Sequence, residues 1–170
     1  MQRTGGDFGV GDRYPAGKSG GMGASDTVEF TAAVGHDEAE IAALLAAADL
    51  PHSDIGAHWA NFIVARAEAR IVGVVGAEVH GADGLLRSLA VAAAWRGRGL
   101  GRQLVQRLRV AQPAVRRWWV LTTTAESFFA ELRFGRVERR LAPAAIAATE
   151  EFRTLCPSTA VCLVRREAGP

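Results

Sequence analysis

The sequence predicts an α/β or α+β fold in which one sheet of about seven strands is covered on both sides by about four helices. Three observations predict it. Short apolar runs with two-residue alternation recur along the chain, other segments carry apolar residues at helical spacing, and the two kinds are mixed in order rather than segregated. The length of 170 residues and mass of 18.0 kDa suit a single domain with one core.

Residues 1–25 hold eight of the 19 glycines and no apolar periodicity, and read as a disordered tail preceding a domain over residues 26–170. The string AGKS in that tail lacks the earlier glycine and upstream strand of a phosphate loop, and Asp12 stands where the glycine should be. Val28 to Ala33 alternates weakly and predicts a strand. Asp37 with Glu40 three residues on predicts a capping box, opening a helix through Ile41, Leu44, Leu45 and Ala48 that ends before Pro51. Phe62–Ala67 and Ile71–Val79 read as strands joined by a tight turn at residues 68–70, and the Gly81-Ala82-Asp83-Gly84 turn leads to a strand over Leu85–Val91. Regular alternation there places Leu85, Arg87, Leu89 and Val91 on one face and Leu86, Ser88 and Ala90 on the other. Leu100, Leu104, Val105 and Leu108 predict a helix stopped by Pro113. Trp118–Thr122 is a strand, with one tryptophan expected in the core and the other lining a ligand pocket or an interface. A short helix over Ala125–Leu132, a strand over Arg136–Arg139, a helical stretch over Pro143–Phe152 and a last strand over Ala160–Val164 complete the series.

A net charge of +2 conceals a segregation: residues 1–86 balance at −7, residues 87–140 at +9, and the remainder at zero. The basic stretch should meet an anion. It lacks the interleaved aromatics or recognition helix of a nucleic-acid binder, so a phosphorylated small molecule is the expected partner and no nucleic acid is expected. The first ten residues hold neither a basic n-region nor an apolar h-region, and no apolar run reaches a membrane span of about 18 residues. The expectation is a cytoplasmic protein with no membrane partner, a monomer or homodimer. Two cysteines, Cys156 and Cys162, are too few for a disulfide scaffold and read as reduced thiols.

The segment that carries chemistry is LLRSLAVAAAWRGRGLGRQLVQRL, a strand, a glycine-rich turn and a helix. A helix opening on glycines and arginines presents unpaired N–H groups and the positive dipole end together, which is an anion cradle. Gly97, Gly99 and Gly101 let a diphosphate approach the backbone, and Arg96, Arg98 and Arg102 supply charge-assisted hydrogen bonds. The spacing is GxGxG with a basic stretch downstream, so the dinucleotide fingerprint fails. Lys18 is the sole lysine, so no Walker lysine exists.

Arg96-Gly97-Arg98-Gly99-Leu100-Gly101 resembles the (Arg/Gln)-x-x-Gly-x-(Gly/Ala) signature of the GCN5-related N-acetyltransferases (GNAT), here following the apolar strand LAV. TTTAESFFAELRF at residues 122–134 is similar to a later segment of that family. More narrowly, LLRSLAV, VLTTTAE and TEEFRTLCPSTAVC resemble the branch named for arsenic resistance. The resemblance covers about residues 28–165. It implies a mixed, mostly antiparallel sheet whose fourth and fifth strands splay to admit the pantetheine arm of acetyl-CoA, the co-substrate. By carry-over, Leu89, Ala90 and Val91 offer backbone groups to pantetheine and thioester, and Arg96, Gly97, Arg98, Gly99, Leu100, Gly101 and Arg102 hold the pyrophosphate. The sequence departs from the family at Arg133, where a Gly is usual, at Ala93, where a Pro is usual, and at Thr122, where many members have Asn. Phe129 stands where many members have the tyrosine that protonates the thiolate, and the sole tyrosine, Tyr14, is in the tail.

Attack of an amine on a thioester needs a proton acceptor and an oxyanion donor. Val91 N–H is the expected donor, and Glu78, near the end of a strand beside the acetyl site, is the expected base, with Glu126 at the start of a helix as the alternative. Ser88 is the third expected catalytic residue. Arg87 is expected to bind an acidic group of the acceptor as a bidentate pair, the alternative being an ion pair with Glu78 or Glu126, and Thr122, Thr124 and Phe129 to line the acceptor site. Cys156 and Cys162 read as buried small apolar residues, with an arsenic(III) site as the competing idea. His36, His52, His58 and His80 show no ligand spacing, so no metal is expected. The function expected is direct acetyl transfer to a small-molecule amine, an amino acid or related zwitterion and among these an arsenic-containing one. A CoA-binding or effector-sensing module without turnover is the rival.

Overall fold

A computed structural model describes residues 27–168; the expected tail, with Tyr14, lies outside the described residues. Strands β1 (Glu29–Ala32), β2 (Ile63–Ala67), β3 (Arg70–His80), β4 (Asp83–Val91), β5 (Arg117–Thr122), β6 (Gly135–Val137) and β7 (Val161–Arg166) form one seven-stranded sheet. The order is β1-β2-β3-β4-β5-β7-β6. Every neighbouring pair is antiparallel except β4 and β5. Helices α1 (Glu38–Ala46), α2 (Leu100–Ala111), α3 (Glu126–Glu131) and α4 (Ala144–Ala147) cover it. This is the α/β architecture with a mixed, mostly antiparallel sheet that the sequence and its resemblance predict.

Both faces of the sheet are buried. On one, Leu100, Leu104, Val105 and Leu108 of α2 pack with Val75, Leu86, Trp118 and Phe129. On the other, Ile41 and Leu45 of α1 pack with Phe62, Val74 and Ala90, and Ile146 of α4 packs with Leu85, Trp119 and Leu121. Both tryptophans are therefore core residues, which corrects the expectation that one lines a pocket. Trp119 can be buried because its indole N–H donates to Asp83 Oδ1 at 2.9 Å, while Asp83 Oδ2 accepts from Arg117 at 2.6 Å.

The start of α1 differs from the expected capping box. A 3₁₀ turn over Gly35–Asp37 precedes it, and Asp37 caps that turn backwards, accepting the Val34 N–H at 2.9 Å and Arg66 of β2 at 2.6 Å. Glu40 instead reaches across to the β2–β3 turn, taking Arg70 Nε at 2.8 Å and the Ile71 N–H at 3.1 Å. Both carboxylates thus take guanidinium partners from the sheet in place of the N–H groups of the first turn of α1, since a charge-assisted bond is about twice as strong as a neutral one. The helix expected over Pro143–Phe152 is divided into α4 and one π-type turn over Glu151–Leu155, closed by a bond from Cys156 N–H to Glu151 C=O at 3.0 Å.

Part of the expected charge segregation is offset in three dimensions, where Arg117 pairs with Asp83 and Arg109 with Glu167 from outside the basic stretch. Arg136 with Glu126 and Arg102 with Glu131 pair within it. No helix among the described residues is long and apolar enough to cross a membrane.

Candidate active site

The site begins with a departure of two strands. β4 and β5 are paired through Asp83↔Arg117, Gly84↔Trp118 and Leu85↔Trp119, after which the remainder of β4, Leu86–Val91, has no strand partner on that side among the described residues. The uncovered edge looks into a cleft of about 480 Å³ bounded by residues 86–91 of β4, the end of β5 at Thr122–Ala125, and Glu151, Leu155 and Cys156. Expected residues Arg87, Ser88, Leu89, Ala90, Val91, Thr122, Thr124 and Phe129 all line it.

A β-bulge decides what β4 presents. Val74 faces Ala90 and Gly76 faces Arg87, so Val75 alone opposes Ser88 and Leu89, and Ser88 takes φ +55°. The extra residue breaks the alternation. Leu85 and Arg87 point to the α4 face, but Leu89 and Val91 pack on the α2 side and Ala90 on the α1 side. The expectation that Arg87, Leu89 and Val91 share a face is thus corrected. Beyond the bulge, Ala92 N–H donates to Val72 C=O of β3, so alternation turns the Val91 backbone groups the other way, into the opening. The Val91 C=O already accepts Arg96 Nε at 3.0 Å.

Val91 and Arg96 also belong to a second concavity of about 340 Å³ at the start of α2, walled by Gly97, Gly99, Leu100, Gly101 and Arg102. Gly97 and Gly99 lie in the left-handed region, at φ +75° and +78°, and Gly99 is the N-cap of α2. Their need is conformational. Gly101 has ordinary helical geometry, and a Cβ there would stand 3.3 Å from the Phe128 ring, so it serves packing between α2 and α3. Arg98 lies with its guanidinium 4.7 Å over the Trp95 ring, outside the residues lining this concavity. Arg102 holds Glu131 at 2.9 Å.

Beside the cleft, Arg87 is almost wholly buried and surrounded by carboxylates. It forms a bidentate pair with Asp54 at 2.5 and 2.7 Å, donates to Glu78 Oε1 at 2.7 Å and stands 3.4 Å from Glu151 Oε2. Its remaining nitrogen, Nε, is shielded from solvent. Burial works against the charged form of both partners, yet their mutual hydrogen bonds prevail, holding Asp54 below the usual carboxylate range and Arg87 above the ordinary arginine value. The chain's own acids therefore occupy the bidentate face expected to take an acceptor carboxylate. Glu78 stands behind Arg87 and is not among the residues lining the cleft, whereas Glu151 is. Glu126 is engaged by Arg136 at 2.8 and 3.0 Å.

Thr122 Oγ1 accepts the Ala125 N–H at 2.9 Å, fixing the turn into α3 in addition to lining the cleft. Phe129 is buried edge-on against Phe128 and Phe134, at 5.1 and 5.3 Å. Arg133 adopts φ +65° just after α3, the left-handed conformation that explains a glycine preference there. Cys156 donates its thiol to Glu151 Oε1 at 3.0 Å; burial, then that hydrogen bond, push it up to about 12. Burial pushes Cys162 to about 11. Both are neutral thiols at physiological pH and poor nucleophiles.

Sequence reasoning missed Asp54, His58 and Glu151. Only Glu151 left a trace, within TEEFRTLCPSTAVC; the other two lie in a loop without periodicity and reach the site by tertiary folding.

A mixed sheet split beside a glycine-rich helix start is the arrangement of a GNAT-like fold. Residues 58–134 match the family model described as "Acetyltransferase (GNAT) domain". Among solved structures, the fold is similar to N-acetylglutamate synthase from Neisseria gonorrhoeae complexed with coenzyme A and L-arginine, with TM-score 0.71 and 22% identity. That match covers 82% of this chain and 33% of the synthase, so the chain spans about a third of its length. It is also similar to Rv2747 from Mycobacterium tuberculosis in complex with CoA, with TM-score 0.70, 22% identity, and 82% and 99% coverage. Arabidopsis thaliana Naa50 with a CoA bisubstrate analogue follows at TM-score 0.65, 13% identity, and 82% and 99% coverage. No curated protein matches the sequence.

Proposed function

We propose that the protein is an acetyl-CoA-dependent N-acetyltransferase acting directly on the amine of a small molecule. One observation carries the reading: the unpaired edge of β4 runs from the acceptor cleft to the left-handed glycine turn of α2, and the two concavities share Val91 and Arg96. A long ligand with an acyl group at one end and a diphosphate at the other fits this continuous path. The solved relatives with coenzyme A support it.

Acetyl-CoA, when bound, would supply the thioester. The N–H groups at the start of α2, with Arg96 and Arg102, hold the diphosphate, and the open edge of β4 aligns the pantetheine amides as a further strand would. Val91 N–H donates to the thioester oxygen as negative charge develops there; the C–S bond then breaks and the departing CoA thiolate takes the surplus proton left on the attacking nitrogen. Glu151, the carboxylate on the cleft wall, draws in the acceptor ammonium and takes its proton, a role expected of Glu78 but better placed here. Ser88, Thr124 and Phe129 shape the acceptor end. The closed hydrogen bonding of Arg87 makes it a support for Glu151 and Glu78 rather than the partner of an acceptor carboxylate. The acceptor class tested first is an amino acid or related zwitterion, arsenic-containing ones included.

The test is thiol release from acetyl-CoA against a panel of such amines, with wild type and Glu151→Gln. Turnover is expected, and the variant should lose about 10²-fold or more at pH 7 and less at pH 9, where more of the amine is already neutral. CoA binding without turnover on any amine would favour the module reading, and an equal loss at both pH values would remove Glu151 as the proton acceptor.

A further inference from the structure

Around Arg87 the charges do not balance. Asp54, Glu78 and Glu151 have side chains only 16%, 7% and 9% exposed, and the single guanidinium they share leaves two negative charges in a largely dry place. The excess is localised. Both oxygens of Asp54 accept from Arg87, and those of Glu151 face Cys156 and Arg87. Glu78 gives Oε1 to Arg87, but its Oε2 faces His58 Nε2 at 3.8 Å and His80 Nε2 at 3.9 Å. Those gaps are too long for hydrogen bonds.

They are close to the spacing across a metal ion. Four ligand atoms about 2.0–2.1 Å from a tetrahedral zinc are about 3.3 Å from one another, which small rotations of the imidazoles would reach. Asp54 and His58 flank the 3₁₀ turn over Ile55–Ala57, which brings both to Glu78 of β3. Asp54, His58 and Glu78 each offer one ligand atom within 4.8 Å of the others. Arg87 holds Glu78 Oε1 and both oxygens of Asp54, each of which keeps a second lone pair, and so orients the two carboxylates as a partner of metal ligands does.

We propose that Glu78, His58 and Asp54 bind one divalent transition metal, of the zinc class, which cancels the local charge excess and fastens the loop before β2 onto β3 behind the acceptor cleft. An imidazole among the ligands favours zinc over magnesium or calcium, which take mainly oxygen ligands. This reverses the sequence expectation of no metal and does not depend on the transferase reading, because zinc occupancy is measured without acetyl-CoA.

The test uses the full chain stripped with a chelator and titrated with zinc chloride by calorimetry, beside His58→Ala and Asp54→Asn. One zinc per chain is expected, with at least a tenfold loss of affinity in either variant and slower amide exchange over residues 55–61 when zinc is bound. Cobalt(II) in the wild-type chain should give the intense visible bands of four-coordinate nitrogen and oxygen ligation, a readout that stands if a variant fails to fold. No zinc uptake, equal affinity in the variants, or weak six-coordinate cobalt bands would overturn the proposal.

Discussion

Asp37 shows how one side chain can join a helix to a sheet. Burial alone would raise its carboxyl, but hydrogen bonds from Arg66 and the Val34 N–H, with the Arg66 charge, outweigh it and hold the group below its ordinary value of 3.8. A carboxyl whose folded value is depressed contributes stability above its unfolded value and loses it as pH falls through the folded one. Asp37→Asn should therefore cost about 2 kcal/mol at pH 7, and the gap to wild type should close as pH drops below 3.8 in denaturant unfolding curves. A gap that persists undiminished at the lowest pH would show that shape rather than charge is what Asp37 provides.

At the scale of an element, the turn from β4 to α2 rests on two left-handed glycines. Gly97 and Gly99 occupy left-handed conformations that cost other residues roughly 1–2 kcal/mol each. Open space surrounds both positions, so a side chain would meet no clash, only strain and an altered path of the N–H groups. Gly97→Val with Gly99→Val should weaken CoA binding by tenfold or more in titration calorimetry, while Gly101→Ala, facing Phe128, should lower stability more than affinity. Identical affinities in all three chains would separate this turn from the phosphates. The bulge at Ser88 is the companion device, turning Leu89 and Val91 away from the face of Arg87.

Across the whole molecule, the short β4–β5 pairing leaves the sheet in two parts, β1 to β4 and β5 with β7 and β6, joined beyond Leu85 by the packing of α2, α3 and α4. A ligand lying along the open edge bridges these parts. CoA at 100 times its dissociation constant should add about 2.7 kcal/mol to the stability of the native chain, read as a rise of a few degrees in Tm. No shift at that concentration would mean that the cleft does not hold the carrier.

The strands, α2 and the glycine turn were legible from residues 62 to 122 because each rests on local periodicity or on a conformation only glycine takes easily. Local rules also identified the Leu85–Val91 strand, yet missed the bulge within it, since a bulge depends on how the neighbouring strand is registered. Likewise the sequence by itself placed Arg87 on the strand that leads to the glycine turn, offered Glu78 as its alternative partner, and put glycines at the opening of α2. Only the tertiary structure decided that Asp54 and Glu151, from two further segments, join Glu78 around that arginine with two histidines nearby. Long-range electrostatic pairing in a buried place is set by which surfaces meet, and spacing along the chain carries no record of it.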